Sequence, residues 1–307
     1  MPMPVVHHVC RLATAEDIKK SAHLWGQDQP LFHRDVWSRL PKLLEALLQD
    51  DLVRLAYVES LPGHEPRLLG GISFIHPEYV EEARAAGETL PNTVFQAALE
   101  HRVPFLAPKE IGKVNAQCEL HLMNFFGNID DLDLSRSERA NFYEVNNQGY
   151  HFFHFGYAYR ALWAEVLPAH HVRELQIQGM QIERELKLPS GQTSTLMCLT
   201  RKVATANPYF RRSGLFFPPE PRFGFSLGEQ TLLELSLLDM SDVAIAATLH
   251  VSMDAIKKRW RSIYLKVDLA DPEFLTKTNS GAGRRRELLS YLKIHLEEIR
   301  PYHAENQ

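Results

Sequence analysis

From Leu232 to Val267 apolar residues recur at helical spacing, and the repeat is interrupted twice, each time beside a serine suited to cap a new helix. Leu232, Leu233, Leu235, Leu237 and Leu238 make a first helix. Ser241 caps a short second one from Asp242 to about Leu249, and the turn His250-Val251 leads to Ser252 and a longer third helix reaching about Val267. On that third helix Ile256, Trp260, Ile263 and Val267 share a narrow band at about 100° per residue, which assigns Trp260 to the core rather than to an exposed stacking role. Asp254, Lys258, Arg261 and Ser262 occupy the opposite arc. Between His250 and Lys266 the only acid is Asp254, against five bases, Lys257, Lys258, Arg259, Arg261 and Lys266. A helix of that kind suits a nucleic-acid groove.

Two folded units are expected from 307 residues. Hydrophobic residues at 45% and charged residues at 23% are in the range of globular proteins. No apolar run approaches the length of a membrane helix, and the amino terminus lacks a basic segment followed by an apolar one, so the chain is expected neither to span a membrane nor to be secreted. Cys10, Cys118 and Cys198 are far apart and form no CxxC, which points to a reducing compartment, the cytoplasm. The net charge is −4, yet residues 222–307 carry 12 basic and 12 acidic side chains, so the excess negative charge lies before them. Any basic surface for nucleic acid is therefore local and C-terminal.

The stretch FSLGEQTLLELSLLDMSDVAIAATLHVSMDAIKKRWRSIYLKVD, residues 225–268, resembles the LuxR-type helix-turn-helix domain without a gap. Glu229, Ile245-Ala246, Leu249, Val251 and Ser252, Ile256-Lys257, Ile263-Tyr264 and Lys266 match the family pattern. Asp239 replaces the usual glycine after the first long helix, which would lengthen that helix, and Arg259 stands where histidine is frequent. The resemblance implies a DNA-binding face made of Met253, Asp254, Ala255, Lys257, Lys258, Arg259 and Arg261. Beyond it, RRRELLSYLKIHLEEI reads as an amphipathic helix, with Arg284, Arg285 and Arg286 at its start facing solvent or a phosphate.

Ahead of this lies a proline-bearing segment, TANPYFRRSGLFFPPEPRFG, taken as the linker. The first two thirds read as mixed α and β: a helix after Thr14, another whose main part starts at Pro41, strands over Leu52 to Val58 and Leu68 to Ile75 around the turn LPGHEPR, strands over Cys118 to Phe126, Glu174 to Gln178 and Thr193 to Arg201, and a helix over Asp133 to Asn147. The element order, with RLATAEDI and ANFYEVNNQGYHFF, resembles acetyl-CoA-dependent N-acetyltransferases, but their glycine-rich pyrophosphate loop is missing after the strand Cys118 to Phe126. No histidine or cysteine set has the spacing of a metal site. The aromatic cluster around Tyr150 to Trp163 is either core, the preferred reading, or the lining of a ligand cavity formed by His151, Phe153, Phe155, Tyr157 and Trp163.

Taken together, the expected fold class is an α+β or α/β sensor-like domain (1–205), a linker (206–224), an all-α helix-turn-helix domain (225–268) and a C-terminal helical extension (269–307). The expected function is transcriptional regulation, with no catalysis, no metal and no cofactor. The expected partners are an unidentified small molecule, double-stranded DNA, RNA polymerase and a second copy of the chain. The alternative is an N-acetyltransferase-like enzyme or an interaction protein carrying a helical module.

Overall fold

The computed structural model describes residues 7–130, 132–167, 169–210, 212–275 and 281–301. Residues 1–6 of the expected first domain and 276–280 and 302–307 of the expected C-terminal extension lie outside them.

Seven strands form one mixed sheet: β1 (His7–Leu12), β2 (Arg54–Leu61), β3 (Glu65–Phe74), β4 (Leu120–Ile129), β5 (Tyr159–Val166), β6 (Gln181–Lys187) and β7 (Thr193–Thr200), in the order β1-β2-β3-β4-β5-β7-β6. All neighbours are antiparallel except β4 and β5. Residues alternate between the two faces of a strand, and the two largest cores follow that alternation. Leu55, Tyr57, Leu69, Met123, Phe125, Trp163 and Leu196 face one core, while Ile72, Leu122, Leu162, Ala164, Met197 and Leu199 face the other.

The first core is covered by α1 (Ala15–Lys20), α2 (Ala22–Trp25), the 3-10 turn Gly26–Leu31, α3 (Arg34–Gln49), α4 (Glu78–Ala86) and α5 (Leu90–Leu99). The second is covered by α6 (Pro108–Ala116), α7 (Arg136–His154), α8 (Ala169–Ile177) and α9 (Arg201–Ala206). Four further helices follow: α10 (Leu227–Leu237), α11 (Asp242–Thr248), α12 (Met253–Ala270) and α13 (Gly281–Leu292). Their own core includes Leu232, Ile245, Ile256, Trp260, Ile263 and Leu288, and Phe152 and Phe155 at the end of α7 pack against it. Gly149 marks where α7 crosses β1: a Cβ there would meet the Cys10 sulfur at 2.5 Å.

The expected fold class is corrected. The chain is organised around a seven-stranded mixed sheet with helices on both faces, rather than as an α/β sensor followed by an all-α helix-turn-helix domain. Local readings also shift. Pro41 lies inside α3, which already begins at Arg34. Glu174 to Gln178 falls on α8 and the turn after it rather than on a strand, because a run that short fits either period. Between Ile75 and Cys118, where no element is expected, the chain forms α4, α5 and α6. Asp239 keeps a left-handed conformation at φ 58°, so α10 is not lengthened.

Candidate functional site

The parallel pair is where the sheet opens. Pairing of β4 with β5 ends at Asn124 and Ala164, although β4 runs on to Ile129 and β5 to Val166. Two features drive β4 aside. Its register against β3 slips between Leu69 and Gly70, leaving Gly127 unpaired, and the bulge holds Phe126 at φ 59° and Gly127 at φ 120°. A bulge adds local twist and bends the strand that carries it. The facing backbone groups of the two strands beyond Asn124 are thus left without each other, and a cavity of about 270 Å³ occupies the gap. Ligands of open sheets settle where neighbouring strands part in this way.

The cavity reaches both faces of the sheet. On the side of the first core it is lined by Asp28, Asn128, Glu165 and Leu167; on the side of the second by Asn124, Tyr150, His154 and Arg212, with Arg54 beside them. Asp28 sits in the 3-10 turn Gly26–Leu31 and accepts a 2.7 Å hydrogen bond from Asn128 Nδ2. Burial, only partly offset by that bond, pushes its carboxyl up to about 7. Glu165 is buried on β5 and is also pushed upward by burial, with the Ser194 hydroxyl and the Leu90 amide donating to its two oxygens.

Across the sheet the chemistry changes. His154 is fully enclosed at the end of α7 and stacked on Tyr150 with ring centres 3.9 Å apart. Desolvation holds its imidazole down at about 3, so it is neutral. Nδ1 lies 2.9 Å from the Tyr150 carbonyl and Nε2 2.8 Å from Asn124 Oδ1. A neutral ring carries one N–H and satisfies only one of these two oxygens. Asn124 Nδ2 in turn donates to the Trp163 carbonyl at 3.3 Å, joining β4 to β5 where they separate. Arg212 lies over the Tyr150 ring at 4.9 Å and donates to Gln178 Oε1 at 2.6 Å.

Of the ligand residues expected from the sequence, only Phe153 lines the cavity. His151 packs on Phe155 with ring centres 4.0 Å apart, and Phe155 bridges the second core and that of the C-terminal helices. Tyr157 is buried and accepts from Arg54 through its hydroxyl. Trp163 points to the other face, where Nε1 donates to His121 Nδ1 at 3.1 Å. The groups around the cavity that the sequence reading missed are Asp28, Asn124, His154, Glu165 and Arg212. Only Glu165 left a signal, an acid inside the apolar strand ALWAEV. Among the described residues no group of three or more His, Cys, Asp or Glu is placed to hold a metal, and no helix is long and apolar enough to cross a membrane.

The residues expected to contact DNA lie on α12. Met253, Asp254, Lys257, Lys258 and Arg261 are exposed, and Ala255 and Arg259 are half-buried. The basic residues next to them are turned inward. Lys266 donates to Glu229 at 2.7 Å, Arg284 pairs with Asp268 at 2.6 Å and lies over Tyr264, and Arg285 pairs with Asp242 at 2.9 Å over Trp260. Arg284 and Arg285 therefore serve the fold and are neither free in solvent nor offered to a phosphate.

No family model and no curated protein sequence matches the chain. Similar solved structures include an N-acyl amino acid synthase from uncultured soil microbes, at 11% identity over 67% of this chain and 98% of that one, TM-score 0.38. A spermidine/spermine N-acetyltransferase from Vibrio cholerae is similar at 10% identity over 66% and 98%, TM-score 0.34. An aminoglycoside acetyltransferase solved with coenzyme A is similar at 12% identity over 66% and 99%, TM-score 0.30. No LuxR-type or helix-turn-helix regulator is among the similar structures. The expected assignments as a LuxR-like regulator, as a non-enzyme and as a partner of DNA and RNA polymerase are corrected accordingly. At such TM-scores a likeness says nothing about substrate, and the chemistry of this chain has to come from its own residues.

Proposed function

We propose that the chain is an acyltransferase-type enzyme, in which an activated acyl donor and an amine meet in the gap between β4 and β5. The observation that supports this most is a carboxyl group held near 7 on the wall of a cavity that opens to both faces of the sheet. A base with that affinity is matched to accepting a proton from an amine at neutral pH. In the proposed step the amine nitrogen bonds to the acyl carbon and its proton passes to the Asp28 carboxylate. The bond from the acyl carbon to the leaving group then breaks, and that group departs with the electron pair and takes the proton back from Asp28. The products are the amide and the protonated leaving group. The backbone of β4 beyond Asn124, unpaired with β5, is available to hydrogen-bond an extended ligand as a neighbouring strand would.

The entrance to α7 does not favour a diphosphate. Glu138 caps the Ser135 amide there, and Asp133 pairs with Arg67 at 2.6 Å, so the helix end already meets negative charge. The test is product formation from a panel of amines with acetyl-CoA and longer acyl thioesters, followed by amide detection. Turnover should rise as pH passes about 7, and Asp28→Asn should lower it by about 10²- to 10⁴-fold. Amide formation at the same rate in Asp28→Asn, or none with any donor, would overturn the reading.

A further inference from the structure

Both arginines of the cavity lie on one side of it. The ionisable groups on the Asp28 face are the carboxyls of Asp28 and Glu165, whereas those on the α7 face are Arg54, Arg212, His154, His171, Tyr150, Cys10 and the exposed carboxylate of Glu174. Burial holds the His154 imidazole down at about 3 and pushes that of His171 below its ordinary value. Arg54 is already committed, sharing Glu234 Oε1 with Arg300 at 2.8 and 3.0 Å and lying 3.8 Å from Asp51. Arg212 is different. Its Nε donates to the neutral Gln178 and its Nη1 meets the Met180 sulfur at 3.4 Å, and among the described residues it makes no ion pair. A half-buried guanidinium stacked on Tyr150, braced by neutral groups and facing a cavity, has the chemistry to bind an anion.

We infer that the ligand on the α7 face carries an anionic group, a carboxylate or a phosphate monoester, which Arg212 binds, with its apolar portion against Ile72, Phe153, Val166 and Leu175. The proposal deepens the acyl-transfer reading by giving the chemistry of the molecule opposite Asp28. It also separates this site from the acidic entrance of α7. The pairing would be two-pronged, since a guanidinium fork matches both oxyanions.

The experiment is calorimetric titration of the full chain with octanoate, octyl phosphate and octanol, which share one tail. Octanoate or octyl phosphate should bind at least about tenfold tighter than octanol, and the better of the two identifies the anion. Arg212→Gln should remove that advantage and leave octanol unchanged, while Arg212→Lys should restore part of it. Should Arg212→Gln fail to fold, the anion-to-octanol ratio in the unaltered chain decides alone. Equal binding of all three ligands, or an Arg212→Gln chain that keeps the preference, would overturn the proposal. Asp28→Asn should bind the anion normally, so loss of turnover and loss of this site are read separately.

Discussion

Asp28, half-buried, and Asp17, buried, are both desolvated aspartates, and their surroundings send them in opposite directions. Asp28 has only the Asn128 amide to offset desolvation and rises to about 7. Asp17 is also desolvated, but although burial pushes its carboxyl up, the Arg11 fork at 2.7 and 2.9 Å and the Thr14 amide and hydroxyl outweigh it and bring it down to about 2. The pH consequences are opposite too. Asp28 holds its proton more tightly folded than unfolded, so its contribution to stability is present below about 4 and is lost as pH rises toward 7. Asp28→Asn should flatten that part of a stability profile measured by urea unfolding; an unchanged slope between pH 4 and 7 would contradict the buried carboxyl. Asp17 contributes above its unfolded value near 4, and that contribution is lost as pH falls toward 2. Asp17→Asn should cost about 1 to 3 kcal/mol at pH 7. In the sequence, Thr14 and Asp17 announce a helix start, and that much was legible. Nothing in GQDQPL marks Asp28, because its affinity for a proton comes from Asn128 and from the packing of elements far away in the chain.

At the scale of elements, helices with strong caps and apolar stripes were legible and the working parts of the sheet were not. Ser241 and Ser252 begin α11 and α12 as their spacing implies, while α10 starts at Leu227 behind Ser226, ahead of the Leu232 expected to open it. Trp260 lies on the buried stripe at 7% exposure, with Nε1 3.3 Å from Asp242 Oδ1. Trp260→Ala should therefore destabilise the chain by about 3 to 5 kcal/mol. A fluorescence signal from Trp260 that an aqueous quencher reaches freely would argue against this packing. The parting of β4 from β5 had no comparable signature. It depends on a one-residue register slip opposite Gly70 and on the left-handed turn at Phe126 and Gly127, and register is a property of two strands together. The same holds for Gly149, whose role appears only once α7 is laid over β1. Gly149→Val should force Cys10 and α7 apart, costing about 1 to 3 kcal/mol and raising hydrogen exchange along α7. Exchange unchanged along α7 would mean that the crossing has room to give.

Over the whole molecule, one carboxylate joins three regions that are distant in sequence. Glu234 on α10 accepts from Arg54 on β2 and from Arg300 after α13, both through Oε1. Arg300, fully buried, also donates to the carbonyls of Phe152 and Phe155 where α7 ends, and its own carbonyl accepts from Gln230 at 2.7 Å. Next to it the Pro301 carbonyl accepts from Asn115 on α6 at 2.9 Å. The C-terminal helices are thus tied to the sheet through the same Arg54 that borders the cavity. Breaking one side of a buried ionic network is costly because it leaves the other charges without compensation, whereas removing both signs together is much less so. Glu234→Gln should therefore lose about 3 to 5 kcal/mol in urea unfolding, with Arg54 and Arg300 left facing each other. The double variant Glu234→Gln, Arg300→Met should recover part of that loss, because it removes one of the two stranded cations. A single Glu234→Gln variant within about 1 kcal/mol of the parent would show that solvent already screens the three charges, as at an exposed ion pair, and that the Glu234 carboxylate does not tie the C-terminal helices to the sheet.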